Sequence, residues 1–331
     1  MTTRRQLIAA LIGTAATSTV TAALAQSQAV GFPDRPVRIV VPFPAGGNSD
    51  AIARTLALQL SQIWKQPVLV DNKPGADTLI GTSDVVRAPA DGYTILSNIS
   101  LIVQNTFTKK MPFDTFKELK PLIAATETPM YFVVGRQEKN AAMPQTLDQF
   151  IRSAKADPGA LSFGSFGNGS TGHLLLLALQ KSASIEITHV PFKGNSDVIV
   201  QLLNGQVSSS FLPYSAVAPH LPSGKIKILA ATGEQRPPLS PDVPTFEELG
   251  VKGFTSSQWN GFFIAEKTPT AVAQKLSLDM NAAIRSPEVA AKLKALGLTP
   301  AGGTPEQFQT MIDKDVDLIR AALRDGHLKP N

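Results

Sequence analysis

The sequence predicts an α/β fold made of two similar halves. Its 331 residues correspond to about two domains of ordinary size. Short runs of β-branched residues are followed by glycine-containing loops and then by apolar residues at helical spacing, which indicates alternating strands and helices. This alternation favours largely parallel sheets that are flanked by helices.

The unit of strand, loop and helix occurs three times. The run from Pro36 to Pro42 predicts a strand, and the apolar spacing from Ala51 to Ile63 predicts the helix after it. Similar units begin at Leu161 and Ile185, each with a loop and then a helical stretch. Shorter strands are predicted at residues 68–70, 94–96, 131–134, 226–230 and 261–264.

Two of the strand-to-helix loops share part of their sequence. The first reads PFPAGGNSD at residues 42–50 and the second reads PFKGNSD at residues 191–197. Two related halves explain this similarity more economically than chance. Asp50 and Asp197 fall in the first turns of their helices, where we expect them to cap the helix and complement its dipole. Ser286 and Thr304, each followed by Pro-Glu, also predict capped helix starts.

The first 25 residues predict an exported protein. They contain no acid, Arg4 and Arg5 precede a short apolar stretch, and Ala23-Leu24-Ala25 precedes Gln26. These features are typical of a cleavable secretory signal peptide, and the two arginines also fit a twin-arginine signal. The apolar stretch is far shorter than the about 20 residues that span a membrane, so a membrane anchor is disfavoured. The residues leave the export route open, and we expect a soluble mature protein.

Composition and motifs argue against several classes of function. The net charge of +5 is not concentrated in a basic patch, which disfavours nucleic-acid binding. Cysteine is absent, which excludes disulfides, thiol catalysis and thiolate metal sites. The four histidines lack the spacing of a metal site, and there is no G-x-S-x-G nucleophile motif. We therefore expect no catalytic residue, no metal and no cofactor.

The loop at residues 167–172 fits G-x-G-x-x-G, but a dinucleotide site also needs an acid at the end of the next strand. Glu186 lies at the beginning of that strand instead. Ser170 and His173 are three residues apart, where a capping serine beside a packed histidine is the commoner arrangement. The loop retains backbone N–H groups at a helix start, which favour an anion. Nearby aromatic residues predict an apolar-walled pocket for a small organic carboxylate, namely Phe43, Phe166, Phe192, Tyr214 and Trp259.

Six segments form an ordered series along the mature chain. They read FPDRPVRIVVPFPAGG at 32–47, DNKPGA at 71–76, ADGYT at 90–94, GNGS at 167–170, VPFKG at 190–194 and PDVPT at 241–245. Together they resemble the Bug-type, TctC-like periplasmic solute-binding proteins of tripartite tricarboxylate transporters. The resemblance implies a periplasmic-binding-protein-like (Venus flytrap) fold, in which two α/β domains enclose a ligand cleft and are joined by two crossover strands near residues 131–135 and 259–264.

The resemblance also implies a domain division. Residues 1–25 would be the signal peptide, residues 26–131 with 260–331 would form domain 1, and residues 132–259 would form domain 2. The implied protein is a periplasmic monomer without enzymatic activity. It would capture a small mono- or dicarboxylate, aliphatic or aromatic, and deliver it to the membrane permease subunits of the transporter.

The residues implied to bind ligand lie mainly on the strand-to-helix loops. They are Phe43, Ala45, Gly46, Gly47, Asn48, Asp77, Thr78, Gly167, Asn168, Ser170, Thr171, Phe192, Lys193, Gly194 and Tyr214. The loops carry no arginine, and Lys193 is their one cation. A carboxylate would therefore be held mainly by backbone N–H groups at helix starts.

Two positions depart from the family pattern. Asp77-Thr78 stands where the family usually has Gly-Gly, and residues 207–210 read VSSS where the family usually has an Asp. These changes could alter the charge preference or be surface drift, so the sequence assigns no particular carboxylate. Two alternatives stay open: an amino-acid or other solute receptor of an ATP-driven importer or sensor, with Asp77 as the acid for an amine, and an exported hydrolase.

The first testable prediction concerns export. If residues 1–25 are a cleaved signal peptide, protein recovered from the periplasm begins at Gln26 or within a few residues of it. Mass spectrometry of the intact protein measures this. A soluble cytoplasmic form that keeps Met1 would contradict the prediction.

Overall fold

The structure, a computed structural model, describes residues 31–136, 143–192, 194–326 and 328. The predicted signal peptide and Lys193 lie outside the described residues. The strands are β1 (Val37–Val41), β2 (Val68–Asn72), β3 (Thr94–Ile99), β4 (Leu119–Thr128), β5 (Met130–Gly135), β6 (Ser162–Ser165), β7 (Thr188–Pro191), β8 (Ser209–Pro213), β9 (Ile226–Ala231) and β10 (Gln258–Ala265).

Helices follow most of these strands. They are α1 (Asn48–Trp64), α2 (Leu79–Val86), α3 (Leu101–Thr108), α4 (Thr115–Glu118), α5 (Leu147–Ala156), α6 (Thr171–Ala183), α7 (Asn195–Leu203), α8 (Tyr214–Val217), α9 (Thr270–Arg285), α10 (Pro287–Ala295) and α11 (Pro305–Arg324), with 3-10 turns at Ala76–Thr78 and Ala218–Ser223. In the described part of the chain, no helix combines the length and the apolar character needed to cross a bilayer.

The strands form two five-stranded sheets with the same pattern of pairing. The first sheet has the order β2-β1-β3-β10-β4 and the second has the order β7-β6-β8-β5-β9. In each sheet, three strands pair in parallel and a fourth, β10 or β5, pairs antiparallel with both of its neighbours. This arrangement confirms the predicted α/β class with two similar halves.

The chain changes sheets twice. It leaves the first sheet between β4 and β5, and it returns between β9 and β10. Strands β5 and β10 are therefore the two crossover strands, and they include the residues where the crossovers were predicted. The exact division into domains at residues 131/132 and 259/260 stays a prediction.

Local signals explain where several helices begin. The Ser286 hydroxyl accepts the backbone N–H of Val289, and Thr304 forms a capping box with Gln307. Helix α1 buries Ile52 and Leu56, which are four residues apart, against the first sheet.

Apolar clusters cover both faces of each sheet. One cluster joins the two halves: Leu174 of α6, which follows the second sheet's β6, packs with Phe308 and Ile312 of α11 against the first sheet. Two surface ion pairs lie alongside, Lys181 with Asp325 at 2.8 Å and Lys314 with Glu234 at 2.9 Å. Helix α11 therefore contacts both halves of the molecule.

Helix α11 also carries a buried acid. The Asp315 side chain accepts the Ser256 hydroxyl at 2.6 Å and the Trp259 indole N–H at 2.8 Å, and Asp315 is only 6% exposed. Burial raises the pKa of Asp315 to about 7, although both hydrogen bonds act in the opposite direction. The acid thus joins α11 to the segment that leads into the crossover strand β10.

Replacing this acid should change how stability depends on pH. Because the pKa of Asp315 is higher in the folded chain than the usual unfolded value, its stabilising contribution is complete below about pH 4 and is lost as pH rises through 7. A rise of this size corresponds to at most about 4 kcal/mol. We expect Asp315→Asn to flatten the fall in melting temperature between pH 4 and pH 8.

Thermal melts across this pH range measure the effect. The control is Asp317→Asn, which removes an exposed acid from the same helix. Parallel pH profiles for the wild type and Asp315→Asn would contradict the prediction.

Candidate functional site

Two adjoining cavities lie where strand ends meet helix starts. The smaller, called here the α1 cavity, has a volume of about 370 Å³ and is lined by the loop before α1 and by the start of β10. The larger, called the interdomain cavity, has a volume of about 970 Å³ and is lined by residues that follow strands of both sheets. Ile99 and Gln258 line both cavities, so the two form one cleft.

The loop before α1 is shaped by Asp50. Gly46 adopts a left-handed φ of 86°, and its backbone N–H donates to the Asp50 carboxylate at 2.9 Å. Asp50 is buried and also accepts from Arg54 and Asn72, both at 3.0 Å. Burial raises the pKa of Asp50, but the bonds from Arg54, Gly46 and Asn72 outweigh it, so its net pKa is lowered. Asp50 thus remains ionised and holds the loop in place. It lies in the first turn as predicted, but the prediction that it caps the helix is wrong, because it accepts from Gly46 and α1 has no side-chain cap. Asp197 also lies in the first turn of a helix without a side-chain cap, α7.

The start of α1 is open towards the α1 cavity. Gly47 is the N-cap residue and supplies no side-chain cap, and Gly47, Asn48 and Ser49 all line the cavity. The Ser49 hydroxyl oxygen accepts from Asn260 of β10 at 3.0 Å, which leaves its hydrogen to donate. The first N–H groups of a helix have no partner within the helix. This point therefore offers several donors and a positive helix end to an anion.

Other helix starts contribute to the interdomain cavity. Ser100 and Gly194, the N-cap residues of α3 and α7, line this cavity, and these two helices, like α1, have no side-chain cap. Helices α2, α8 and α9 also lack one. Helix α6 differs, because the Ser170 hydroxyl accepts the backbone N–H of His173 at 3.4 Å. Ser170 is therefore a helix cap, which agrees with the arrangement favoured by the sequence.

Charge in the cleft is balanced. Among the described lining residues, the charged side chains are Asp77 and Lys109, and they form an ion pair with each other. Asp77 lies in a left-handed segment in which Ala76, Asp77 and Thr78 have φ values of 47°, 50° and 79°. Glycine adopts such values freely, whereas a β-branched residue such as Thr78 is strained there. The segment thus keeps the shape of a glycine turn while adding an acid to the cleft.

The other departure from the family pattern lies in the core. Ser208, Ser209 and Ser210 are buried on or beside β8. Their hydroxyls bond to the β6 backbone, with Ser210 donating to the Gly164 carbonyl at 2.7 Å and Ser209 to the Ser162 carbonyl at 3.1 Å. These serines line neither cavity, and their contacts hold β6 beside β8.

Two histidines stack on one wall of the interdomain cavity. The rings of His173 and His189 lie 4.0 Å apart and are nearly parallel. Ser165 Oγ lies 3.0 Å from the Gly167 carbonyl oxygen and 2.6 Å from His189 Nε2, and its single hydrogen can be donated to one of these two acceptors at a time. Burial lowers the pKa of His189. The contact with Ser165 therefore orients the neutral His189 ring at the wall of the cavity.

The structure brings together most of the residues that the resemblance implied. Phe43, Ala45, Gly47 and Asn48 line the α1 cavity, and Asp77, Asn168, Ser170, Thr171 and Gly194 line the interdomain cavity. Five others line neither: Gly46, Thr78, Gly167, Phe192 and Tyr214. Phe192 and Tyr214 pack against an apolar cluster of the second sheet instead.

Several lining residues were missed by the sequence analysis. They are Ser49, Ser100, Gln104, Asn105, Lys109, His189, Asn195, Gln258 and Asn260. Asn195 could have been found, because the repeated GNSD motif makes it the counterpart of Asn48. Ser49 belongs to the same motif and could have been found as well. The others carry no motif, and the fold alone places them at the cleft.

The cleft does not resemble a metal centre. Across residues 31–136, 143–192, 194–326 and 328, no three His, Asp or Glu side chains are grouped so that they could hold a metal ion. The groups that line the cleft can form hydrogen bonds through backbone N–H groups, hydroxyls and amides, beside an apolar wall.

Comparison with known proteins identifies the family. The model of the tripartite tricarboxylate transporter family receptor matches residues 52–325. Protein BugT of Bordetella pertussis is 32% identical over 301 residues, covering 90% of this chain and 91% of its own.

Two solved structures from Rhodopseudomonas palustris have the same fold. Rpa4515, determined with adipate, is 29% identical with a TM-score of 0.71, covering 91% of this chain and 100% of its own. MatC, determined with bound malate, is 27% identical with a TM-score of 0.66, covering 87% and 100%. The fold, the cleft at the helix starts and the match over residues 52–325 agree, and the chain belongs to the tripartite tricarboxylate transporter family of receptors.

Proposed function

We propose that this protein is an exported receptor that binds a small organic carboxylate in its cleft and passes it to the membrane subunits of a tripartite tricarboxylate transporter. The observation that carries the proposal is the start of α1, where a helix without a side-chain cap opens onto a cavity. A carboxylate bound there would accept hydrogen bonds from the N–H groups that have no partner within the helix.

The α1 cavity can hold such a ligand without a cation. Hydrogen bonds to a charged group contribute about 1.5–3 kcal/mol each, so a few N–H groups with the Ser49 hydroxyl suffice. The apolar wall, which includes Phe43, Ile52 and Trp259, would contact the carbon skeleton. This pattern of an apolar wall with a few convergent polar groups is typical of small-molecule sites.

The relatives suggest the size of the ligand. Adipate and malate, the ligands in Rpa4515 and MatC, each carry two carboxylates. In this chain, a second carboxylate would reach the interdomain cavity, which is lined by Ser100 and Gly194, the N-cap residues of α3 and α7. We propose a mono- or dicarboxylate, held between domain 1 (residues 26–131 with 260–331) and domain 2 (residues 132–259).

The rival functions have less support from the cleft. A hydrolase would need a nucleophile whose base is oriented by a third group, yet Ser170 caps α6, and among the described residues no carboxylate hydrogen-bonds to His189, the histidine that contacts Ser165. A binding protein for free amino acids would typically hold the α-carboxylate with an arginine, and no arginine is among the described lining residues. We therefore propose binding without turnover, by a monomer that acts in the periplasm after the signal peptide is removed.

Stoichiometric binding without turnover is testable by a ligand screen. A ligand at 100 times its Kd adds about 2.7 kcal/mol to the free energy of unfolding. For domains of this size, that raises the melting temperature by roughly 5–10 °C. Melting is measured with a panel of mono-, di- and tricarboxylates, and product formation is followed in parallel. No shift with any carboxylate would contradict the proposal, and product formation would favour the hydrolase.

Substitutions at two neighbouring glycines distinguish a role in ligand binding from a role in forming the turn. Gly47 has an ordinary φ of −81°, and a Cβ there would come no closer than 3.7 Å to the Pro44 carbonyl oxygen. We expect Gly47→Val to keep the melting temperature within a few degrees but to weaken carboxylate binding at least tenfold, because the side chain would screen the start of α1. Gly46→Val should instead lower the melting temperature, because valine is strained at a φ of 86°.

Calorimetry and melting curves of both variants make the comparison, with Lys193→Ala as the test of a cation. We expect Lys193→Ala to weaken binding less than Gly47→Val does. Loss of binding in Lys193→Ala with normal binding in Gly47→Val would show that a point charge holds the ligand.

A further inference from the structure

A groove beside the cleft is lined by residues from both halves of the molecule. It is called here the α9–α10 groove and has a volume of about 450 Å³. The second half contributes Pro238 and Leu239 from the connection between β9 and β10, and the first half contributes the end of α9, part of α10 and residues 298–301. The buried side chain of Leu298 lines both this groove and the α1 cavity, and so forms the wall between them.

The α9–α10 groove is positively charged. Among its described lining residues, the charged ones are Arg285 and Lys294, and none is an acid. In the part of the chain that the structure describes, neither cation forms an ion pair. Arg285 Nε donates to Asn281 Oδ1 at 3.1 Å, which leaves the two terminal nitrogens of the guanidinium for another acceptor. Lys292, two residues before Lys294 on the same helix, is instead paired with Glu288 at 2.8 Å.

The rest of the groove is mainly apolar. Leu239 is 39% exposed, and Pro238 beside it is exposed as well. Ile284 and Leu298 contribute buried apolar surface to the lining. An apolar centre next to an arginine is typical of the surfaces by which proteins bind one another. A partner that complements this groove carries an apolar side chain together with carboxylates.

Both walls of the groove are fixed by hydrogen bonds. On one side, the Ser240 hydroxyl donates to the Tyr131 hydroxyl oxygen of β5 at 2.8 Å, which anchors the connection next to Leu239. On the other side, the segment after α10 pairs with the end of β4, where the Glu127 backbone N–H donates to the Thr299 carbonyl at 3.0 Å. A preformed surface loses little conformational entropy when a partner binds.

We infer that the α9–α10 groove docks an acidic segment of a partner protein, with carboxylates paired to Arg285 and Lys294 and an apolar side chain against Leu239. The inference goes beyond the proposed function, because it concerns a surface outside the ligand cleft and does not require a bound ligand. A membrane surface fits the groove less well. Attachment to anionic lipids uses clusters of about four to eight basic residues, whereas this groove presents a pair of cations within a concave surface.

Peptides of defined charge test the inference on the mature protein. Each fluorescent peptide has eight residues, with one leucine and two glutamates that are separated by one to four residues. Matched peptides carry glutamine or lysine in place of glutamate. Binding is measured by fluorescence anisotropy at low ionic strength. We expect at least one acidic peptide to bind at least tenfold more tightly than its two matches, and to bind more weakly as salt is added.

Charge-reversal variants assign the binding to the groove. We expect Arg285→Glu and Lys294→Glu each to weaken binding of the acidic peptide at least fivefold, because each variant sets a carboxylate against the carboxylates of the peptide. The control is Lys292→Glu, which makes the same change of charge on α10 at a residue that does not line the groove. This control should change the affinity less than twofold.

The apolar contact has its own pair of variants. We expect Leu239→Ser to weaken binding of the acidic peptide at least threefold, because it removes apolar surface from the groove. The control is Leu249→Ser, which changes a leucine of similar exposure, 43%, on the same connection but outside the groove. It should leave the affinity unchanged. Melting curves establish that each variant folds.

The contrary outcomes are equally specific. No binding of any acidic peptide, equal binding of the glutamine peptides, or the same loss in Lys292→Glu as in Lys294→Glu would overturn the inference. Binding to vesicles that contain phosphatidylglycerol, without binding of any peptide, would overturn it in favour of a membrane surface. None of these results depends on carboxylate binding in the cleft, so the proposed function is tested separately by its own ligand screen.

Discussion

The buried carboxylate of Asp50 is the interaction on which the cleft depends. An ionised group inside a protein needs partners, and Asp50 takes three: the Gly46 N–H, Arg54 and Asn72. Satisfying Asp50 bends the loop before α1 and uses the N–H of Gly46, so the donors left for a ligand begin at Gly47. Arg54 offsets the charge of Asp50 at 3.0 Å, which reduces the repulsion of a second anion at the same helix start.

Strand β10 connects this loop to the rest of the molecule. Its first three residues have different roles: Gln258 lines both cavities, Trp259 donates to Asp315 of α11, and Asn260 joins Ser49 to Ser97. Its next residue, Gly261, lies against the Phe308 ring, which a Cβ would overlap. The crossover strand β10 thus lines the cleft and is held in place by contacts on both faces of the first sheet.

Much of the fold could be predicted from the sequence because its signals are local. The strand between Pro36 and Pro42 and the capped helix starts at Ser286 and Thr304 follow from neighbouring residues. Strands β4 and β8 were not predicted. In β8, two serine hydroxyls bond to the β6 backbone, a long-range contact that no local signal reveals. The predicted strand from residue 185 begins only at Thr188, after a segment whose residues Ile185 and Ile187 are buried in the core.

The site could be predicted only in part for a similar reason. Glycine loops identify helix starts, but they do not show which N–H groups are already used, as at Gly46. They also cannot reveal Asn105, which lies at the cleft because α3 brings its amide beside the Asp77 carbonyl. Phe192 and Tyr214 lie close to the loops in sequence, yet their partly buried side chains pack against an apolar cluster of the second sheet.

The packing of α6 against α11 limits how this receptor can be recombined with its relatives. Leu174 belongs to the second half of the chain but is buried with Phe308 and Ile312 of the first. A chimera that exchanges only residues 132–259 would bring a foreign α6 against the native α11, leaving either a void or a clash at this contact. Transplanting ligand specificity between family members therefore requires α11 to be exchanged together with α6, although the two helices are far apart in sequence and α11 lines neither cavity.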